Sequence, residues 1–205
     1  MHPVQLFHYH LVTNKAREVE ARYIGKLGFE LVARHGRIGG EVAAVPPGIA
    51  WQELDELGFA LDLSELSLGA VIVVVQPGRW ELPRVDHLGL ALDEDELEES
   101  LGRAQTAGLP IEDADGPSFV STNAGYRLEL HPQGGAIDAL LAQGDQLRLL
   151  ELHLKTDDPE AKAAMLADVL DCVRLGGDVE VGETLVRFLP GGPRGRPELY
   201  AERFT

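Results

Sequence analysis

The chain has 205 residues, enough for one large or two small domains, and its 44% hydrophobic and 25% charged content is ordinary for a folded protein. A formal net charge of −16 excludes nucleic acid and anionic membrane as expected partners, because both require a basic footprint. With Cys172 the only cysteine, no disulfide framework or thiolate metal cluster is expected, and a reducing, cytoplasmic setting is.

Met1-His2-Pro3-Val4 lacks a charged start followed by an apolar core, so no secretion signal is expected. The longest apolar run, Ala70 to Val75, is too short to span a bilayer. Gln5 to Val12 alternates with period two and predicts a strand. Strict alternation puts Phe7, Tyr9 and Leu11 on one face, and Leu6, His8, His10 and Val12 on the other. Asn14 is a candidate cap for a helix over Lys15 to Leu27, with Ala16, Val19, Tyr23, Ile24 and Leu27 as its apolar stripe. Gly28 stands where a left-handed terminator is wanted. Phe29 to Arg34 reads as a strand. Between Gly36 and Leu68 the pattern is weak: a turn at Pro46-Pro47-Gly48, a short helix over Trp51 to Leu57, and a strand over Phe59 to Leu63. Ala70 to Val75 is a β-branched run suited to a strand buried on both faces.

The order then repeats. In Arg84 to Leu92, alternation puts Leu88, Leu90 and Leu92 on one face and Val85, His87, Gly89 and Ala91 on the other, with Asp86 expected on the helix side or at an edge. Asp93 with Glu96 predicts a capped helix carrying Leu97, Leu101 and Ala104 inward to Gly108. Ile111 to Asp113, Ser118 to Thr122 and Gly125 to His131 follow as strands, the last setting Arg127, Glu129 and His131 opposite Tyr126, Leu128 and Leu130. A connector with a candidate short helix over Ile137 to Gln143 leads to a third unit. There, Leu149 to Lys155 opposes Leu150, Leu152 and Leu154 to Glu151, His153 and Lys155, and Asp158-Pro159 opens a helix. Thr184 to Leu189 and Pro197 to Phe204 are strands. The Gly191 to Arg196 run between them reads as a hairpin loop, with anion binding by Arg194 and Arg196 as the lesser reading.

Each unit thus reads strand, helix, then two or three strands, an internal repeat that predicts an α+β fold of βαβββ modules. The boundaries are 1–80 and 81–135 for two modules, 136–146 for the connector, and 147–205 for a third, partial module. Two modules side by side would form a curved-sheet trough whose helix-distal faces hold His8, His10, His87 and Glu129.

The chain resembles the vicinal-oxygen-chelate superfamily, which includes glyoxalase I, fosfomycin-resistance proteins, methylmalonyl-CoA epimerase and extradiol dioxygenases. The resemblance rests on Phe7-His8-Tyr9-His10-Leu11-Val12, Ala21 to Phe29, Val85-Asp86-His87-Leu88-Gly89-Leu90 and Gly125 to Leu130. It implies metal ligands on the first and last strands of a module, which carry over to His8, His87 and Glu129. The last strand of the first unit offers only Val73, Val74 and Val75 for a fourth ligand, which fits a two-His, one-carboxylate face. Such a face suits Fe(II), Mn(II), Ni(II) or Zn(II) and leaves positions open for a small substrate that chelates through two oxygens. His10 is the candidate acid–base partner. Glu151 takes the ligand position of the third unit without a partner carboxylate, so that unit reads as structural.

The expected function is a metal-dependent enzyme with dioxygenase, isomerase, lyase or thiol-transfer chemistry. Extradiol enzymes of this fold add a His before the second ligand and a Tyr in the strand before the Glu, and Val71 to Val75 and Ser118 to Thr122 have neither. The alternative is a metal-free binding protein of the bleomycin-resistance type. A homodimer paired through the third unit is a further expectation.

Overall fold

Strands form where apolar residues alternate, and in the computed structural model they join into one branched, curved sheet backed by helices, an α+β architecture. The structure describes residues 4–114, 116–134, 137, 139, 141 and 148–205. The expected helix over Ile137 to Gln143 falls largely outside the described residues. Among them, no helix is long and apolar enough to cross a membrane.

The first unit runs β1 (Val4–Thr13), α1 (Ala16–Leu27), β2 (Glu30–Ile38), β3 (Glu41–Val45), α2 (Trp51–Glu56), β4 (Ala60–Leu68) and β5 (Val71–Pro77). The second runs β6 (Arg84–Leu92), α3 (Glu94–Thr106), β7 (Ile111–Asp113), β8 (Ser118–Ser121) and β9 (Arg127–Pro132). The third runs β10 (Leu149–Lys155), α4 (Pro159–Leu170), β11 (Val173–Leu175), β12 (Asp178–Val181) and β13 (Thr184–Leu189), and β14 (Glu198–Phe204) follows. In all three, the last strand returns parallel to the first, giving the orders β1-β5-β4-β2, β6-β9-β8-β7 and β10-β13-β12-β11. The third unit, expected to be partial, therefore carries the complete set. The hairpin of β3 with α2 is an insertion in the first unit, and it accounts for the weak pattern between Gly36 and Leu68.

Helix ends follow local chemistry. Asp93 accepts the Glu96 N–H and Asp158 the Ala161 N–H, each at its helix N-terminus. Asn14 does not cap α1; the Thr13 hydroxyl takes the Lys15 N–H at 3.1 Å instead. Gly28 closes α1 in the left-handed conformation, with φ of 79°.

The apolar core lies between the sheet and the helices. It joins Tyr9, Leu11, Val73, Leu88, Leu90 and Leu128 to Tyr23 of α1, Ala104 of α3 and Leu166 of α4. Tyr9 and Tyr23 share a buried hydrogen bond of 3.1 Å. The buried carboxylate of α1 is paired, as its desolvation requires. Glu20 accepts from Arg34 Nε and Nη2, the Trp51 indole N–H and the Ser64 hydroxyl, tying α1 to β2, α2 and β4.

Two pairings set the modules edge to edge. β1 runs antiparallel to β6, with His8 opposite Gly89 and His10 opposite His87. β10 runs antiparallel to β14, with Glu151 opposite Arg203 and His153 opposite Ala201. The register slips at matching places, leaving Phe7 and Asp86 as extra residues in the first pair and Leu150 and Tyr200 in the second. β14 thus stands against β10 as β6 stands against β1.

Candidate metal centre

A strand that alternates without interruption sends neighbours to opposite faces, but a bulge sends two consecutive residues the same way. The bulge at Phe7 puts Leu6 in the core with Tyr9 and Leu11, and turns Phe7 toward His8 and His131, with ring centroids 6.1 and 5.2 Å away. Strict alternation had these two residues reversed. The bulge at Asp86 does the same on β6. Val85 joins the core, and Asp86, expected at the helix side or an edge, lies beside His87 and bonds its Nδ1 at 2.9 Å.

Between the two bulges, His8, His10 and His87 converge into one cluster. Glu129 enters from β9, whose parallel pairing sets it level with Gly89. Its Oε2 lies 3.1 Å from His87 Nε2 and 3.9 Å from His8 Nδ1. His10 follows His8 on the same face, and its ring centroid is 4.6 Å from that of His87. One nitrogen from each of His8, His10 and His87 lies within 4.8 Å of the other two. His131, two residues past Glu129, brings Nε2 to 3.1 Å from Glu129 Oε1. The four residues singled out in the sequence thus form one cluster, and His131 joins them.

These short approaches leave several groups without a hydrogen bond. His8 Nε2, His10 Nε2, Glu129 Oε2 and His131 Nε2 are buried and have no partner among the described residues. Each such group carries a desolvation cost of about 1–3 kcal/mol. A divalent cation among imidazole and carboxylate donors would offset that cost, so the donor set fits a metal.

No protein-family model and no curated protein sequence matches the chain. Solved structures do. A mutant of 4-hydroxymandelate synthase from Streptomyces coelicolor matches at 16% identity with a TM-score of 0.57, over 93% of this chain and 63% of that one. The Mn(II)-bound glyoxalase from Novosphingobium aromaticivorans matches at 13% identity and a TM-score of 0.56, over 95% of this chain and 63% of that one. A 2,3-dioxygenase from Pseudomonas sp. KL28 matches at 12% identity and a TM-score of 0.56, over 98% and 74%. The chain shares the fold of these synthase, glyoxalase and dioxygenase structures, as the resemblance to the vicinal-oxygen-chelate superfamily implies. At these identities the likeness is one of fold, and the chain spans a little under two thirds of the synthase and of the glyoxalase.

Within this fold, register compares the three last strands directly. Gly89 pairs with Glu129, His10 with Val74, and His153 with Arg187. The position of Glu129 is therefore apolar in the first unit and cationic in the third. Glu151 is neutralised there by His153 at 2.7 Å and by Arg203 and Arg187. Among the described residues, that half of the molecule has no donor set like the one around Glu129.

Sequence reasoning missed what holds His87. Asp86 takes the His87 Nδ1–H, the Arg127 guanidinium at 2.6 Å and the Arg196 guanidinium. This fixes the ring and leaves Nε2 facing Glu129, the arrangement in which a carboxylate orients a metal-binding imidazole. Adjacency of Asp86 and His87 was visible in the sequence, but their pairing needs the bulge. Phe119 flanks the cluster, its ring 5.6 Å from that of His87, with Arg127 stacked on it at 5.0 Å.

Burial pushes His8 down to about 3, against the pull of Glu129. Burial, then His87, pushes His10 down to about 4. Burial would also lower His87, but the hydrogen bond to Asp86 and the nearby Glu129 carboxylate hold it above the usual histidine value. For Glu129 burial is outweighed by His131 and His87, and for Asp86 by His87 and Arg127, so both carboxyls sit well below the usual range. Near neutral pH the centre thus offers neutral His8 and His10 and ionised Glu129, while His87, held above the usual value, would give up its Nε2 proton on metal binding.

A stability prediction follows. Between about pH 4 and 6.5 the unfolded chain holds protons on residues 8 and 10 that the folded chain lacks, so stability falls as pH drops through that window. His87 adds no slope there, because its raised value titrates above 6.5. The chelator-treated protein is expected to lose about 5 kcal/mol from pH 6.5 to 4 in urea unfolding, shared between the two rings. Unchanged stability between these values would contradict the buried, neutral state of the two rings.

Proposed function

We propose that this protein is a divalent-metal-dependent enzyme acting on a small substrate that chelates through two oxygens. His8, His87 and Glu129 hold the metal and His10 is the acid–base partner. The observation that carries the proposal is the convergence of these donors, distant in sequence, with buried atoms unsatisfied by protein. When bound, the cation supplies Lewis acidity to the substrate oxygens and leaves coordination positions open to them. The likeness in fold to a Mn(II)-bound glyoxalase supports the metal class.

The chain's own residues do the rest. Asp86 holds the Nδ1 side of His87, so that Nε2 is the nitrogen facing Glu129 and the one a metal would take on displacing its proton. His10, neutral at pH 7 and unpaired at Nε2, accepts a proton from the substrate carbon or hydroxyl and returns it. Phe7 and Phe119 flank the donor rings and limit water there. The absence of a Tyr at Phe119, which pairs in register with Glu129, favours isomerase, lyase or thiol-transfer chemistry over ring cleavage.

The test is reconstitution with Mn(II), and with Fe(II) under anaerobic conditions, followed by turnover assays on hemithioacetals, 2-hydroxy ketones and catechols. Metal-dependent turnover of one class, lost in His10→Ala with metal retained, is expected. Stoichiometric binding of a small molecule without metal would contradict the proposal and favour a binding protein.

A further inference from the structure

Four of the chain's 18 basic residues gather around one cavity, although acidic residues number 34. The cavity measures about 450 Å³ and lies where the three units meet. Arg79 and Trp80 come from the link between β5 and β6, Arg84 from the start of β6, and Arg194 and Arg196 from the link between β13 and β14.

The walls are fixed by backbone contacts. The Trp80 carbonyl accepts the Asn14 N–H at 2.7 Å and the Thr13 hydroxyl at 2.9 Å. The Val85 N–H donates to the Pro197 carbonyl at 2.8 Å, and the Leu199 N–H to that of Pro83 at 2.9 Å, on either side of Arg84. Gly125 sits at φ of 87° against Gly195, and a Cβ there would come within 2.4 Å of the Gly195 backbone. Only glycine allows these two loops to meet.

The guanidinium groups keep donors to spare. Arg84 Nη1 lies 3.3 Å from Glu198 Oε2, yet its Nε and Nη1 are buried without a hydrogen-bond partner among the described residues. The Arg194 side chain is 97% exposed and approaches Asp157 only to 4.0 Å. Arg79 stacks on Trp80 at 4.9 Å and has no ion pair among the described residues. Arg196 also stacks on Trp80, at 5.2 Å, while its other edge reaches Asp86. A guanidinium offers five N–H donors in a planar fork, so one carboxylate behind it leaves others free for a second oxyanion.

We propose that this cavity is a binding site for a small oxyanion, a carboxylate or phosphate group, held by Arg79, Arg84 and Arg194 against the Trp80–Arg196 wall. It is separate from the metal centre and does not rest on the metal reading. Arg196 is the link between them, since it also holds Asp86 behind His87.

The test titrates the full-length protein with inorganic phosphate and, separately, with benzoate by calorimetry at low ionic strength. Saturable one-to-one binding of either probe is expected, phosphate alone marking phosphate esters as the ligand class and benzoate alone marking carboxylates. Arg84→Gln and Arg79→Gln are each expected to weaken it about tenfold, the loss of one charge-assisted contact. Arg79 is exposed and outside the core, so its variant reports even where Arg84→Gln fails to fold. His8→Ala should leave the binding unchanged. No saturable binding of either probe, binding that survives Arg79→Gln, or binding abolished by His8→Ala would overturn the proposal.

Discussion

Glu129→Ala is expected to weaken Mn(II) or Zn(II) binding by more than about 100-fold while leaving the fold intact. Loss of a residue that only orients a ligand typically weakens binding about 10–100-fold, and a ligand supplying the negative charge should exceed that. Glu129 is the carboxylate that touches His87 and approaches His8, and the equivalent positions in the other units are Val74 and Arg187. No second carboxylate at an equivalent register position stands in for it. Competition against a chromophoric chelator measures the affinity, with circular dichroism as the check on folding. Wild-type affinity in Glu129→Ala would remove the residue from the centre. His131→Ala, which takes away only the group beside Glu129 Oε1, is expected to cost about tenfold.

Gly89→Ala is expected to damage the centre without altering any donor. A Cβ at Gly89 would stand 2.6 Å from His8 Cβ and 3.0 Å from His8 Cγ, and neither atom is the free end of a flexible chain. The strand opposite must shift or His8 must turn, an overpacking cost of about 1–3 kcal/mol. His8 then leaves its place beside Glu129, and metal affinity should fall about 10–100-fold. Gly102 in α3 is the control, because a Cβ there would meet nothing within 4 Å and its φ is not left-handed. Gly102→Ala is expected to stabilise by about 0.5–1 kcal/mol, since glycine inside a helix is unfavourable. Equal effects from both substitutions, read in urea unfolding and chelator competition, would contradict the close packing of Gly89 on His8.

Period and punctuation made most of the architecture legible. The strands that carry His8, His87, Glu129 and Glu151 and the helices that follow the first strands stand where alternation, caps and glycine stops placed them. What alternation misses is the bulge. A single extra residue at Phe7 exchanged the faces of Leu6 and Phe7, and one at Asp86 moved Val85 into the core and Asp86 beside His87. The reading of His8, His10 and His87 as one cluster survived because all three lie between the two bulges, where period two holds. Contacts across units were invisible for another reason. Arg196 reaches Asp86 over more than a hundred residues, and no local pattern encodes that distance. The completeness of the third unit was hidden by its short β11 and β12, three and four residues long, below the length at which alternation shows.

The central claim is that His8, His87 and Glu129 share one cation. Anomalous diffraction from crystals grown with Mn(II) tests it most directly. A single peak within about 2.0–2.3 Å of an imidazole nitrogen of His8, Nε2 of His87 and a carboxylate oxygen of Glu129 is the result expected. No peak at the cluster, or one that leaves Glu129 outside coordination distance, would contradict it.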